Sequence, residues 1–434
     1  MSPLMIGLCA FVALIILMLL RCPIAVSMFI VGAGGLLITK GSHLAFYALS
    51  TTPYNAIFSF SLVAIPMFIL LGNLANEAGV TDELFSIGNK VLGRCPGGLG
   101  MATVFTCAGF AATTGSSVGM VAAMTRIALP QMDRYGYDRK LSLGTIAGAG
   151  TLGILIPPSI PMVIYAINTE QSVGKILMGG IIPGVIMAVG MCAYLAIRCI
   201  INPKLAPRDT EKFTAKERLK SLKGLWSIVV LFGSVLGAIY AGWATATEAA
   251  GIGCLVAIVV AAINKKLSFK ALKNAFFDTI KTTCMIMMIS VGAAVFQLFL
   301  TRCGFASAFA NVFIQASMPV FWMVVVLLLT YIPLGMFFDT MGMILLTIPI
   351  FYPVLKAAGV DPIWFGVMVV MMIQISLLTP PVGLNVYVLK GCVPEASLGS
   401  IFRASLPWVG IQIAVVAIVL LIPQTVTWLP GLMK

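Results

Sequence analysis

Charge is what this sequence is short of. Of 434 residues only 9% are Asp, Glu, Lys or Arg, and there is a single histidine, His43. A soluble domain needs roughly a quarter of its residues charged to coat its surface, so a soluble enzyme, a disordered chain and a coiled coil are all excluded. Metal-ligand spacings are lacking as well. The ten cysteines, among them Cys9, Cys107, Cys192, Cys254 and Cys284, lie mostly in apolar stretches and read as small buried hydrophobes. No His, Cys and carboxylate constellation suggests hydrolysis, and no GxxxxGK[ST] loop suggests ATP-driven pumping by this chain alone. The chain is not read as an enzyme. Its start, Pro3 to Leu20, has neither a basic leader nor a small-residue cleavage site, so it reads as a first span rather than a removable signal.

What the sequence has is apolar length: 60% hydrophobic residues and a mean hydropathy of +1.07. A helix needs about 20 apolar residues to cross a bilayer. Ten stretches qualify: Leu4–Leu20, Ile24–Ile38, Gly98–Leu129, Leu141–Ile167, Ile176–Ile200, Leu225–Ala241, Ala244–Ile263, Val320–Leu355, Ile363–Leu389 and Leu406–Trp428. Two more, Ala56–Leu74 and Thr282–Leu300, fit either a crossing or a re-entrant hairpin of two half-length arms. The net charge of +13 is concentrated in segments between apolar runs: Met132–Lys140, Arg198–Lys223, Lys265–Lys281 and the loop from Lys390 to Arg403. Such loops stay cytoplasmic. Ten crossings plus two hairpins keep all of them on one side with Arg21, and put both termini outside.

An ungapped shift of about 223 residues superposes Gly119 and Met120 on Gly342 and Met343, Pro130 on Pro353, and Gly136 on Gly359. It also superposes Asp138 on Asp361 and Pro157–Pro158 on Pro380–Pro381. The expected fold is thus an all-α polytopic membrane protein made of two inverted-topology repeats, the plan of many secondary transporters. Residues 1–201, with a hairpin at 56–74, form the first repeat. Residues 224–434, with a hairpin at 282–304, form the second, and the basic segment 202–223 links them as an interfacial helix.

Irregular backbone inside a bilayer is tolerated only where it is buried in protein or lines a cavity. Four breaks, paired by the repeat, stand out. The first is Thr113, Thr114, Gly115, Ser116 and Ser117; its mate is Gly335–Thr340, containing Asp339. The third is Pro157, Pro158 and Ser159; its mate is Thr379, Pro380 and Pro381, followed by Gly383 and Asn385. Hydroxyls and unwound carbonyls suit a dehydrated alkali cation, and free N–H groups at half-helix starts suit a carboxylate. The plainer reading is close helix packing and kinks. An intramembrane carboxylate such as Asp339 is costly unless it has a partner; cation ligand, proton carrier and ion-pair partner remain open for it. Glu248, after Thr245 and Thr247, reads equally as a helix cap. Arg302 either snorkels to the interface or meets a substrate carboxylate.

At Pro66–Gly72, Gly109–Met124, Gly150–Ser159, Thr245–Gly251, Phe338–Pro349 and Thr379–Asn385 the chain resembles the large membrane subunit of tripartite ATP-independent periplasmic (TRAP) transporters. The likeness covers essentially the whole chain. It implies a sodium-coupled importer of small carboxylates working by an elevator motion in the bacterial inner membrane. A small four-helix membrane subunit and a periplasmic substrate-binding protein are implied as separate partners. The likeness is nearest to the sialic acid branch, where Arg302 fits an acidic sugar. The resemblance places sodium around Thr114, Gly115, Ser116, Ser117, Gly335, Asp339, Thr340 and Thr379, and substrate near Pro158, Ser159, Arg302, Pro381 and Asn385. A proton-coupled antiporter shares the inverted-repeat logic. An ion channel or a membrane scaffold fits less well, since polarity clusters at midspan breaks instead of forming a stripe.

Overall fold

A computed structural model describes residues 2–207, 217, 221–315 and 318–433; the side chains of 112–114, 314 and 315 fall outside that description, as does most of the expected linker helix. The described chain is helical, without strands. In the first half it forms α1 (Pro3–Leu19), α2 (Ile24–Lys40), α3 (Ser42–Ile57), α4 (Ala64–Glu77), α5 (Val80–Leu92), α6 (Gly98–Thr114), α7 (Ser117–Arg134), α8 (Arg139–Gly150), α9 (Ile160–Asn168), α10 (Val173–Gly179) and α11 (Ile181–Ile201). In the second half follow α12 (Trp226–Tyr240), α13 (Ala246–Ile263), α14 (Phe269–Arg302), α15 (Phe305–Gln315), α16 (Val320–Leu329), α17 (Tyr331–Leu334), α18 (Thr340–Ala357), α19 (Pro362–Ser376), α20 (Leu384–Cys392), α21 (Leu398–Leu421) and α22 (Gln424–Gly431). Shifted by about 223 residues, α1, α2, α5, α7, α8 and α9 fall on α12, α13, α15, α18, α19 and α20. The matched aspartates have a shared cause. Asp138 caps α8 by accepting from Leu141 N (2.9 Å), and Asp361 caps α19 by accepting from Ile363 N and Trp364 N (2.8 Å each).

Of the two stretches expected to be hairpins, one does not reverse. Thr282–Leu300 lies inside α14, a single 34-residue helix, about 50 Å long and enough to cross a bilayer of roughly 30 Å hydrocarbon thickness. Gly292, in the middle of that stretch, serves packing: a Cβ there would lie 2.3 Å from the Ala25 carbonyl of α2. Ala56–Leu74 takes in the end of α3, a break at Phe58–Ser59, a short 3-10 turn and most of α4. Both α3 and α4 pack along α14.

The chain reverses elsewhere. Tyr137 Oη accepts from Leu99 N at 3.1 Å; in one straight helix these residues would be more than about 50 Å apart. Residues 98–134 therefore form a hairpin of α6 and α7, not the crossing expected over Gly98–Leu129. Likewise Tyr331 Oη meets Thr347 Oγ1 at 2.5 Å across the stretch expected to cross as Val320–Leu355, so α16–α17 and α18 form a second hairpin. The open end of hairpin 1 adjoins the basic segment Met132–Lys140, the kind of segment that the positive-inside bias assigns to the cytoplasmic side. The halves interlock by exchange: α2 packs on α14 and α13 on α4, while α9 packs on α18 and α20 on α7.

Candidate functional site

The two hairpin tips and the two helix breaks meet around one cavity of about 850 Å³. Its walls are residues 115–118 and 335–341 from the tips, Ile154, Ile160, Val382 and Leu384 from the breaks, residues 23–26 of the start of α2, and α14 between Thr282 and Ile289.

Each tip is shaped by local chemistry. Gly115 takes φ +55°, the left-handed region that stops α6. Ser116 then turns extended and caps α7, accepting from Gly119 N at 3.4 Å. At the equivalent place in hairpin 2, Asp339 is extended and caps α18, accepting from Gly342 N (3.1 Å) and Met341 N (3.4 Å). Capping is the role the sequence reading did not give Asp339. No lysine or arginine among the described residues forms an ion pair with it.

The tips press on the breaks. A Cβ at Gly115 would lie 3.0 Å from Ile160 N and 3.2 Å from Pro158 O, and one at Gly153 would lie 2.9 Å from Ser116 O. In hairpin 2 a Cβ at Gly335 would lie 2.2 Å from Ser376 Oγ. Glycine lets backbone carbonyls and amides of tip and break come within reach of one small ligand. Ser159 is fully buried; it caps α9 and donates to Ile154 O at 2.5 Å. Thr379 donates to Ser376 O at 3.2 Å. Asn385, at the start of α20, crosses between halves and donates to Ser117 Oγ at 2.6 Å, while Ser117 donates to Gly150 O at 3.1 Å.

Of the residues singled out from the sequence, Gly115, Ser116, Ser117, Gly335, Asp339 and Thr340 line the cavity together. Thr114 ends α6, with its side chain outside the description. Pro158, Ser159, Thr379, Pro381 and Asn385 are not among the wall residues; Pro158, Ser159 and Asn385 are buried, Thr379 is half-buried and Pro381 is exposed. Arg302 is not brought in. It is exposed at the far end of α14, 13 residues beyond Ile289, or about 20 Å along the helix. Glu248 is likewise absent from the walls and closes a capping box with Thr245. The walls from α2 and α14 went unnoticed because they are apolar apart from Thr282 and carry no motif.

The cavity's electrostatics come mainly from backbone. Its single charged lining side chain is Asp339. Five helices begin at its wall: α2 at Ile24, α7 at Ser117, α9 at Ile160, α18 at Thr340 and α20 at Leu384. Each start carries roughly half a positive charge, offset at α18 by the Asp339 carboxylate that caps it, and the other starts make a setting that attracts an anion.

Two hairpins and two broken helices closing on one shared cavity define a polytopic membrane protein of the secondary-transporter class. Residues 11–425 match the family described as tripartite ATP-independent periplasmic transporter, DctM component, and the chain belongs to that family. It is 32% identical over 448 aligned residues to the C4-dicarboxylate TRAP transporter large permease protein DctM of Vibrio cholerae, covering 98% of this chain and 97% of that one. It is 28% identical to the sialic acid TRAP transporter large permease protein SiaM of the same species, over 94% of this chain and 95% of the relative. The fold resembles the crystal structure of the Alcanivorax borkumensis YdaH transporter, with a TM-score of 0.60, 14% identity, and 87% and 88% of the two chains covered. The chain is thus a multi-pass transporter subunit and not an enzyme. Its family implies a small membrane subunit and a periplasmic binding protein as partners.

Proposed function

We propose that this chain forms the translocation path of a sodium-coupled importer in the bacterial inner membrane, carrying a small organic anion delivered by a periplasmic binding protein. The observation that carries this reading is the meeting of five helix N-termini at a cavity with no basic side chain among its described lining residues. Such a cavity can hold a carboxylate by backbone N–H groups and release it readily, because no arginine or lysine forms a lasting ion pair with it. Cation coupling is supported by the tips. Hydroxyls of Ser116, Ser117 and Thr340, the Asp339 carboxylate and the carbonyls at both breaks are hard oxygen donors held close by Gly115, Gly153 and Gly335. The hairpins and broken helices pack on one another as a unit, which suits an elevator motion of that unit against the remaining helices.

Two considerations supported sialic acid as substrate: a nearest likeness to that branch and a role for Arg302. Arg302 stands outside the cavity, and identity to the C4-dicarboxylate relative, 32%, exceeds the 28% to the sialic acid relative. A C4-dicarboxylate is therefore the first substrate to try, with sialic acid beside it.

The test is uptake into liposomes holding this chain with its small subunit, supplied with the binding protein and labelled succinate or sialic acid. Accumulation is expected only with an inward sodium gradient and with the binding protein present. Accumulation driven equally well by a pH gradient, without sodium, would overturn sodium coupling and make Asp339 a proton carrier.

A further inference from the structure

Behind the cavity, where the two broken helices cross, three amide side chains converge on the end of α8. The approach is prepared by glycines. A Cβ at Gly144 would lie 2.3 Å from Ala404 O, and one at Gly148 would lie 2.6 Å from the Trp408 ring. Helix α21 therefore lies tight on α8, and its next turn delivers Gln412 to Thr151. Gln412 Nε2 donates to Thr151 Oγ1 at 2.8 Å. Gln374, which occupies the repeat position of Thr151 itself, donates from Nε2 to Thr151 O at 2.7 Å. One residue away, Asn385 reaches Gly150 O through Ser117.

All three amides are fully buried, and the oxygen of each has no hydrogen-bond partner among the described residues. Their orientation is set by bonding logic. Thr151 O can only accept. Thr151 Oγ1 gives its proton to Gly148 O at 2.8 Å, and Ser117 Oγ gives its own to Gly150 O. With the two hydroxyl protons given that way, each faces an amide nitrogen, which leaves Gln374 Oε1, Gln412 Oε1 and Asn385 Oδ1 as the spare atoms. A buried acceptor without a donor is destabilising, so three gathered at one place call for bound water or an ion. One water donates two protons, fewer than the three acceptors. A cation takes any number of oxygens. The surroundings suit one: Gly148, Gly150 and Thr151 lie at the carbonyl end of α8, where the helix dipole is negative. The amides are neutral and the cluster includes no carboxylate, a donor set that fits a monovalent ion and not a divalent one.

We propose that this crossing holds a buried, dehydrated alkali cation, bound by the amide oxygens of Gln374, Gln412 and Asn385 around the Gly150–Thr151 backbone. It is separate from the coupling ions proposed at the hairpin tips. It would tie the first repeat's α8 to α19, α20 and α21 of the second.

The test is density for thallium(I), an electron-dense alkali mimic, in the complex of this chain with its small subunit. Acetate salts are used because thallous chloride precipitates, with choline acetate as the control. Strong density among the three amides in thallium only is the expected result. Equal weak density in both salts, marking water, or no density at all, overturns the proposal. Density at the tips but not at the crossing overturns it while leaving sodium coupling standing; the reverse pattern supports it and counts against coupling at the tips. Gln412→Leu should bind one thallium ion fewer per chain than the unaltered protein. Where that variant does not fold, the maps of the unaltered complex decide.

Discussion

Ser116 and Asp339 hold equivalent places in the two repeats and begin equivalent helices, yet one is neutral and the other acidic. Capping explains why each is a small polar residue; it does not explain the charge, because serine and asparagine cap as well as aspartate does. Two substitutions separate the roles. Asp339→Asn keeps a capping oxygen and should leave the thermal stability of the complex unchanged, while sodium stimulation of uptake is lost. Asp339→Ala should also cost about 1 kcal/mol of stability through the lost cap. If Asp339→Asn keeps normal sodium dependence, the carboxylate is a cap and no part of the coupling site. The sequence singled out both residues but not their capping, because a cap can be recognised only once the helix start is known. Arg302 shows the converse failure. A cation near a polar stretch reads as a carboxylate partner until the helix carrying it proves unbroken.

At the level of elements, hydropathy located the apolar stretches but did not tell a crossing from a reversal. Gly98–Leu129 and Val320–Leu355 are long enough to cross, and Thr282–Leu300 has serine and glycine at its middle. The difference lies in whether the break turns the chain. At Gly115 a positive φ does so, whereas Gly292 remains helical and only makes room for the Ala25 carbonyl. The reversal in hairpin 2 is testable by a double-mutant cycle on Tyr331→Phe and Thr347→Val. A coupling of about 1 kcal/mol in thermal or denaturant stability is expected for the hydrogen bond between the arms. Residues 16 apart in a straight helix, about 24 Å, would show none.

Across the whole molecule, the halves are held by exchanged contacts, and the α2–α14 seam is among the tightest. Cβ atoms at Gly32 and Gly292 would lie 2.7 Å from Phe296 N and 2.3 Å from Ala25 O. Backbone cannot yield as a flexible side chain does, so Gly292→Val should lower stability by roughly 1–3 kcal/mol, read as a fall in the melting temperature of the complex. Gly237→Val in α12, where a Cβ meets nothing within 4 Å, is the control and should leave the melting temperature unchanged. Equal melting temperatures for the two variants would refute the close seam. The sequence by itself determined the solvent, the helical class and the positions of the four breaks, and the register between halves could be read in it. These follow from composition and local backbone chemistry: apolar runs need lipid, and the clustered glycine, proline and hydroxyl residues at the four breaks interrupt their helices. Only the tertiary structure decided which breaks reverse, that both tips and both breaks share one cavity, and that Gln374, Gln412 and Asn385 gather at Thr151. Those facts rest on contacts between residues 223 to 268 positions apart, and local sequence has no term for the partner an atom will meet across the interface of two halves.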